Sequence, residues 1–237
     1  MSDSSSVVVY GNSHIECIIQ SEEDKTALTT LRIRDPKDED VPTAATMADF
    51  TKMVADLPED ALVAISYFGT QHNVLGLVNH GSPFSLIGAW ENTANEPSPE
   101  LIPEHVLAAS LRAHYEKNNF VKNLSTAACC RIVHIMAPPP KEDLSRFVSK
   151  KAAYRGQSIA DFGYSAPARR LAFWTLEKEV IERYLQSLGF LSLAVPPETL
   201  TPEGFLKPEY SMQDVTHANP AYGALIVQQL RELAASR

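Results

Sequence analysis

Apolar residues along this chain recur with two alternating periods. Short β-branched or near-continuous apolar runs predict strands over Ser6 to Tyr10, Leu28 to Ile33, Ala61 to Phe68, Arg131 to Met136 and Phe190 to Val195. Ala61 to Phe68 is apolar on both faces, which suits the centre of a parallel sheet. Between these runs the spacing turns helical. Ile15 to Ile19 opens a helix packed on the sheet. Thr46 or Asp49 starts another, carrying Phe50, Met53, Val54 and Leu57 and ended by Pro58. Glu104 to Tyr115, with more helix through Leu124, Lys141 to Lys151, Arg169 to Leu188 and Ala221 to Leu233 complete the set. Arg169 to Leu188 is the clearest, with Leu171, Trp174, Val180, Ile181 and Tyr184 on its apolar side and Gly189 as its stop. Strands alternating with helices predict a three-layer α/β/α sandwich on a mostly parallel, five-stranded sheet. No repeat or composition shift divides the chain, so residues 1–237 are expected to form a single domain.

Composition narrows the function classes. The chain has 237 residues, 44% hydrophobic and 21% charged, as in ordinary globular proteins. A net charge of −8 and a pI near 5.4 argue against nucleic acid and against anionic membranes as partners. Cys17, Cys129 and Cys130 suit neither a disulfide framework nor a zinc site, and the start lacks the pattern of a signal peptide. No apolar run is long enough to span a bilayer, so a cytoplasmic location is expected. His and carboxylate spacings match no metal site, and neither GxGxxG nor GxxxxGK[ST] occurs, so no cofactor is called for.

Polar clusters stand at the carboxyl ends of predicted strands, where open parallel sheets bind ligands. The first strand runs into Gly11-Asn12-Ser13-His14, and the third into Gly69-Thr70-Gln71-His72-Asn73. Asp214-Val215-Thr216-His217 lies near the other end of the chain. A serine hydroxyl needs an adjacent base, and that base needs an orienting group. Ser13, His217 and Asp214 supply these three types, and the spacing of three residues lets one loop present both partners. An oxyanion would need donors such as the Ser13 N–H and the Asn73 amide. Each motif also has a plainer reading. Gly-Asn-Ser after a strand is a common turn and helix cap, and Asp-x-x-His can be a loop hydrogen bond. His72 can line a site or bond to backbone, and His14 can face a pocket or begin a helix. His134 reads as a core histidine. Arg155, Arg169 and Arg170 can bind an anion or lie on the surface, and Trp90, in the long loop from Gly76 to Pro103, can stack on a substrate or pack in the core.

These blocks, in this order, resemble the SGNH (GDSL-like) hydrolase family over nearly the whole chain. The resemblance implies a flavodoxin-like sheet and a serine esterase working through an acyl-enzyme on a small acyl ester, acetyl or carbohydrate esters included. It makes Ser13 the nucleophile, His217 the base and Asp214 its orienter, with Asn12, Gly69, Thr70, His72 and Asn73 around the oxyanion and substrate. The chain departs from the family in three places. Asn12 replaces the usual Asp, no glycine between Asn12 and Phe68 matches the second block, and Gln71 holds the third block's asparagine position. Thr70, Gln71 and Asn73 are candidate donors, with Asn73 favoured. An acyltransferase with the same triad and a non-catalytic binding module on the same sheet are the alternatives.

Overall fold

The structure is a computed structural model that describes residues 6–23, 26, 28–37, 41–79, 84–87, 100–145, 153–154, 157–158 and 163–236. Its centre is a parallel sheet of six strands: β1 (Val7–Gly11), β2 (Leu28–Ile33), β3 (Ala44–Ala45), β4 (Leu62–Ser66), β7 (Arg131–Ile135) and β10 (Leu191–Leu193). Two small pairs lie outside it, β5 (Phe84–Ile87) with β6 (Glu100–Pro103) and β8 (Ala153–Tyr154) with β9 (Gln157–Ser158). The helices are α1 (Glu16–Ile19), α2 (Met47–Ala55), α3 (Gln71–Gly76), α4 (Glu104–Glu116), α5 (Asn119–Ala127), α6 (Pro167–Gln186) and α7 (Pro220–Ala235).

The strand order is β10-β7-β4-β1-β2-β3, and every neighbouring pair is parallel. From β1 the chain moves outward to β2 on one side and later to β4 on the other. The switch in direction therefore falls beside β1, where a crevice opens at the carboxyl edge. The expected five strands are present. The sixth, β3, pairs only Arg32 with Ala44 and Ile33 with Ala45, too short a stretch to show a period.

Alternation along β1 divides the core between two faces. Val8 and Tyr10 pack with Phe50, Val63, Ile65, Tyr115, Phe120 and Ile181, beneath α2, α4, α5 and α6. Val7 and Val9 pack with Ile15, Ile18, Leu62, Ala64, Tyr222, Ile226 and Leu230, beneath α1 and α7. Both faces of β1 and β4 are buried, as their unbroken apolar runs require. No helix among the described residues is long and apolar enough to cross a membrane.

Three expectations change. The polar cluster after β4, where no helix is predicted, forms α3. Lys141 to Ser145 is not α-helical: Lys141 forms a β-bridge with Leu206, and its carbonyl accepts from Arg170. The rest of that predicted helix lies outside the described residues, as do Trp90 and Arg155. The stretch from Gly76 to Pro103 is not all loop, because β5 and β6 pair within it.

Candidate active site

Ser13 stands where β1 gives way to a short 3-10 turn, Ser13–Ile15. Asn12 caps that turn, its Oδ1 accepting from His14 N at 3.0 Å, while its own N–H donates to Ser66 O at 3.1 Å on neighbouring β4. Ile15 fills the core behind the turn. Ser13 is thereby left exposed on a fixed backbone. Its N–H makes no hydrogen bond among the described residues.

Asp214 and His217 share a tight turn. Met212 N donates to His217 O at 3.0 Å, and Ser211 bridges Ala218 across the base. Within the turn, Asp214 Oδ1 accepts from Thr216 N at 2.9 Å and from His217 N at 2.8 Å. The other oxygen, Oδ2, lies 2.8 Å from His217 Nδ1. His217 Nε2 lies 2.8 Å from Ser13 Oγ, joining residues 204 positions apart. Hydroxyl, imidazole and carboxylate thus form one continuous chain. Burial opposes ionisation of Asp214, but the bonds from the His217 ring and from the two N–H groups outweigh it. They hold the carboxyl well below the ordinary carboxylate range.

A cleft of about 200 Å³ opens against this chain. Glu16, Cys17 and Gln20 of α1, Arg32 of β2, and Met212 and Ala218 line it with Ser13, Asp214 and His217. Arg32 Nη1 pairs with Glu16 Oε2 at 2.7 Å, and Gln20 Nε2 donates to Glu16 Oε1 at 2.8 Å. Glu16, Gln20 and Arg32 thus give the lining its polar groups beside the site, and Cys17, Met212 and Ala218 its apolar ones.

The remaining expected site residues do not line this cleft. Asn12 is the cap already described. Gly69 turns the chain out of β4 at φ 101°, a left-handed conformation that a side chain disfavours. Thr70 precedes α3 and makes no side-chain cap bond. His72 is committed to Glu177. Its Nδ1 and its backbone N–H each lie 2.7 Å from Glu177 Oε2, and Gln71 N donates to Oε1 at 2.9 Å. Tyr115 OH donates to the same Oε1 at 2.5 Å. Asn73 is buried in α3, and its side-chain amide makes no hydrogen bond among the described residues.

His14, next to Ser13, sets its ring 4.9 Å from that of His217. Burial first, then the nearby imidazoles of His217 and His72, pulls it down to about 3. It is neutral at neutral pH and adds no cation beside His217. His134 is the core histidine expected, pulled down to about 4 by burial. Arg169 and Arg170 are buried instead of lying on the surface or in the cleft. Arg169 covers the Phe173 ring, and Arg170 bonds to backbone carbonyls.

Glu177 and Lys141 are structural partners that sequence reasoning missed. Glu177 has a visible signal, since it falls between Trp174 and Ile181 on the apolar side of α6. A charge at such a position needs buried donors. Lys141, after Pro138-Pro139-Pro140, has no such signal.

No family model and no curated protein matches the chain. Among solved structures, it is similar to a GDSL-like lipase from Bacteroides thetaiotaomicron, 15% identical with a TM-score of 0.44, over 98% of this chain and 91% of that one. An extracellular lipase from Streptomyces rimosus is 12% identical with a TM-score of 0.46, over 98% of this chain and 100% of the other. Phospholipase A1 from Streptomyces albidoflavus is 11% identical with a TM-score of 0.42, over 98% and 100%. At these identities and scores the likeness carries no weight for activity, and what the chain can do has to be read from its own side chains.

Proposed function

We propose that the protein is a serine hydrolase of the SGNH type that cleaves esters of small acyl groups through an acyl-enzyme. One observation supports this above the others. Two hydrogen bonds of 2.8 Å run without a break from Asp214 through His217 to Ser13. A binding module has no need of that chain, whereas a serine nucleophile does.

In the reaction, His217 Nε2 takes the Ser13 proton as Oγ attacks the ester carbonyl. The ionised Asp214 keeps the other ring nitrogen protonated and stabilises the imidazolium that forms. The Ser13 N–H, which has no partner among the described residues, is the donor for the developing oxyanion. His217 returns the proton to the leaving alcohol. Water activated by the same imidazole then releases the acyl group and restores Ser13. A cleft of about 200 Å³, below the roughly 300 Å³ at which drug-sized pockets begin, favours a short acyl group.

Ser13→Ala tests the assignment. The variant is expected to melt like the wild type and to lose hydrolysis of p-nitrophenyl acetate by at least about 10³-fold. Equal turnover by the folded variant rejects Ser13 as the nucleophile.

A further inference from the structure

The turn that carries Asp214 and His217 rests on a buried cation that ester cleavage itself does not use. Lys141 follows the proline run beyond β7 and is 4% exposed. Its Nζ donates to Met212 O at 2.9 Å and to Asp214 O at 2.5 Å, and lies 3.5 Å from Asp214 Oδ1. An ammonium has three donors, and out of water each needs an acceptor. Here Nζ reaches two main-chain carbonyls and one carboxylate oxygen of a single turn.

The internal bonds of that turn shape it but do not fix its distance from the sheet. Among the described residues, the hydrogen bonds joining residues 212–217 to the rest of the chain are those of Lys141 and the His217–Ser13 contact. Lys141 is itself held. Arg170 Nη2 donates to Lys141 O at 3.0 Å and to Glu142 O at 2.6 Å, and Leu206 N donates to Pro140 O at 3.0 Å. Support therefore runs from α6 through Arg170 to the backbone at 141–142, and through Nζ to the turn.

We propose that Lys141 is a positioning residue that sets His217 within reach of Ser13, with Arg170 fixing Lys141. This rests on the triad reading above. A displacement of about 1 Å in a catalytic group can cost about 10²-fold in rate. Lys141 does not line the cleft, so substrate binding should be spared.

The test compares wild type with Lys141→Met in p-nitrophenyl acetate hydrolysis, in thermal melting and in the low-field proton NMR signal of His217 Nδ1–H. A folded variant with kcat down about 10- to 100-fold, KM within about twofold and the low-field signal lost or broadened is the expected result. A folded variant with wild-type kcat and an unchanged signal overturns the proposal. Should Lys141→Met not fold, Lys141→Arg and Lys141→Gln take its place. Better kcat in Arg, which keeps charge and several donors, supports it; wild-type kcat in folded Gln overturns it. A wild type that hydrolyses no ester and gives no low-field signal points elsewhere: the triad reading itself has failed, and the role of Lys141 falls with it.

Discussion

Asp214 divides its two oxygens between folding and chemistry. Oδ1 accepts the N–H groups of Thr216 and His217 and so builds the turn, while Oδ2 faces the imidazole. Asp214→Asn keeps an acceptor for the turn but brings an amide to the ring. An NH₂ facing Nδ1 favours the tautomer with its proton on Nε2, which cannot accept from Ser13. Steady-state kinetics should show kcat lower by about 10³- to 10⁴-fold with KM little changed. A loss under about tenfold removes Asp214 from the orienting role. This pair was readable in the sequence because the spacing of three is what one turn can fold with its own N–H groups. Lys141 was not, because Met212 and Asp214, which its Nζ reaches, lie 71 and 73 positions away, where no local spacing reports them.

At the level of elements, the helix carrying Asn73 and the helix following Ser13 each depend on a distant contact. The N–H groups of Gln71 and His72, which a free helix start would leave to water, are taken by Glu177 from α6, more than a hundred residues away. That contact satisfies the start of α3 with an acceptor that no local residue offers, so the sequence around it does not announce a helix. The strands before it were readable because burial on both faces leaves an apolar run of strand length. The helix after Ser13, α1, is fixed from the other side by Gly223 of α7. A Cβ there would stand 1.9 Å from the Cys17 carbonyl oxygen and 2.3 Å from its carbon, and no rotamer can relieve a backbone clash. Gly223→Ala should destabilise the fold by at least about 1–3 kcal/mol and lower esterase activity as α1 shifts, read as a reduced urea midpoint and reduced kcat. A variant as stable and active as the wild type contradicts this account of how α1 and α7 dock.

Across the whole molecule, the parallel order β10-β7-β4-β1-β2-β3 gathers the carboxyl ends of the strands at one edge. That gathering was foreseeable, since parallel strands with helical crossovers return every carboxyl end to the same side. The identity of the partners behind the site was not. Buried titratable groups also set how the fold responds to acid. His134 and His14 are neutral in both states above about pH 6.5. Below that the unfolded chain takes up protons, while in the fold burial resists them down to about 4 and about 3 respectively. Stability should therefore fall from about pH 6.5 towards pH 4. Asp214 acts lower and in the same sense: its depressed carboxyl stabilises the fold above about pH 3.9, and that contribution is lost as pH falls through the folded value. His134→Gln should flatten the slope of unfolding free energy over this range by up to about 1.4 kcal/mol per pH unit. An unchanged slope contradicts the assignment of that proton uptake to His134.

Mass spectrometry after treatment with a fluorophosphonate probe tests the central claim most directly, because it reads the nucleophile without requiring the natural ester. One adduct on the peptide containing Ser13 is predicted in the wild type, and none in folded His217→Ala on the same timescale. A folded wild type that stays unlabelled, or that carries its adduct on another residue, contradicts the account.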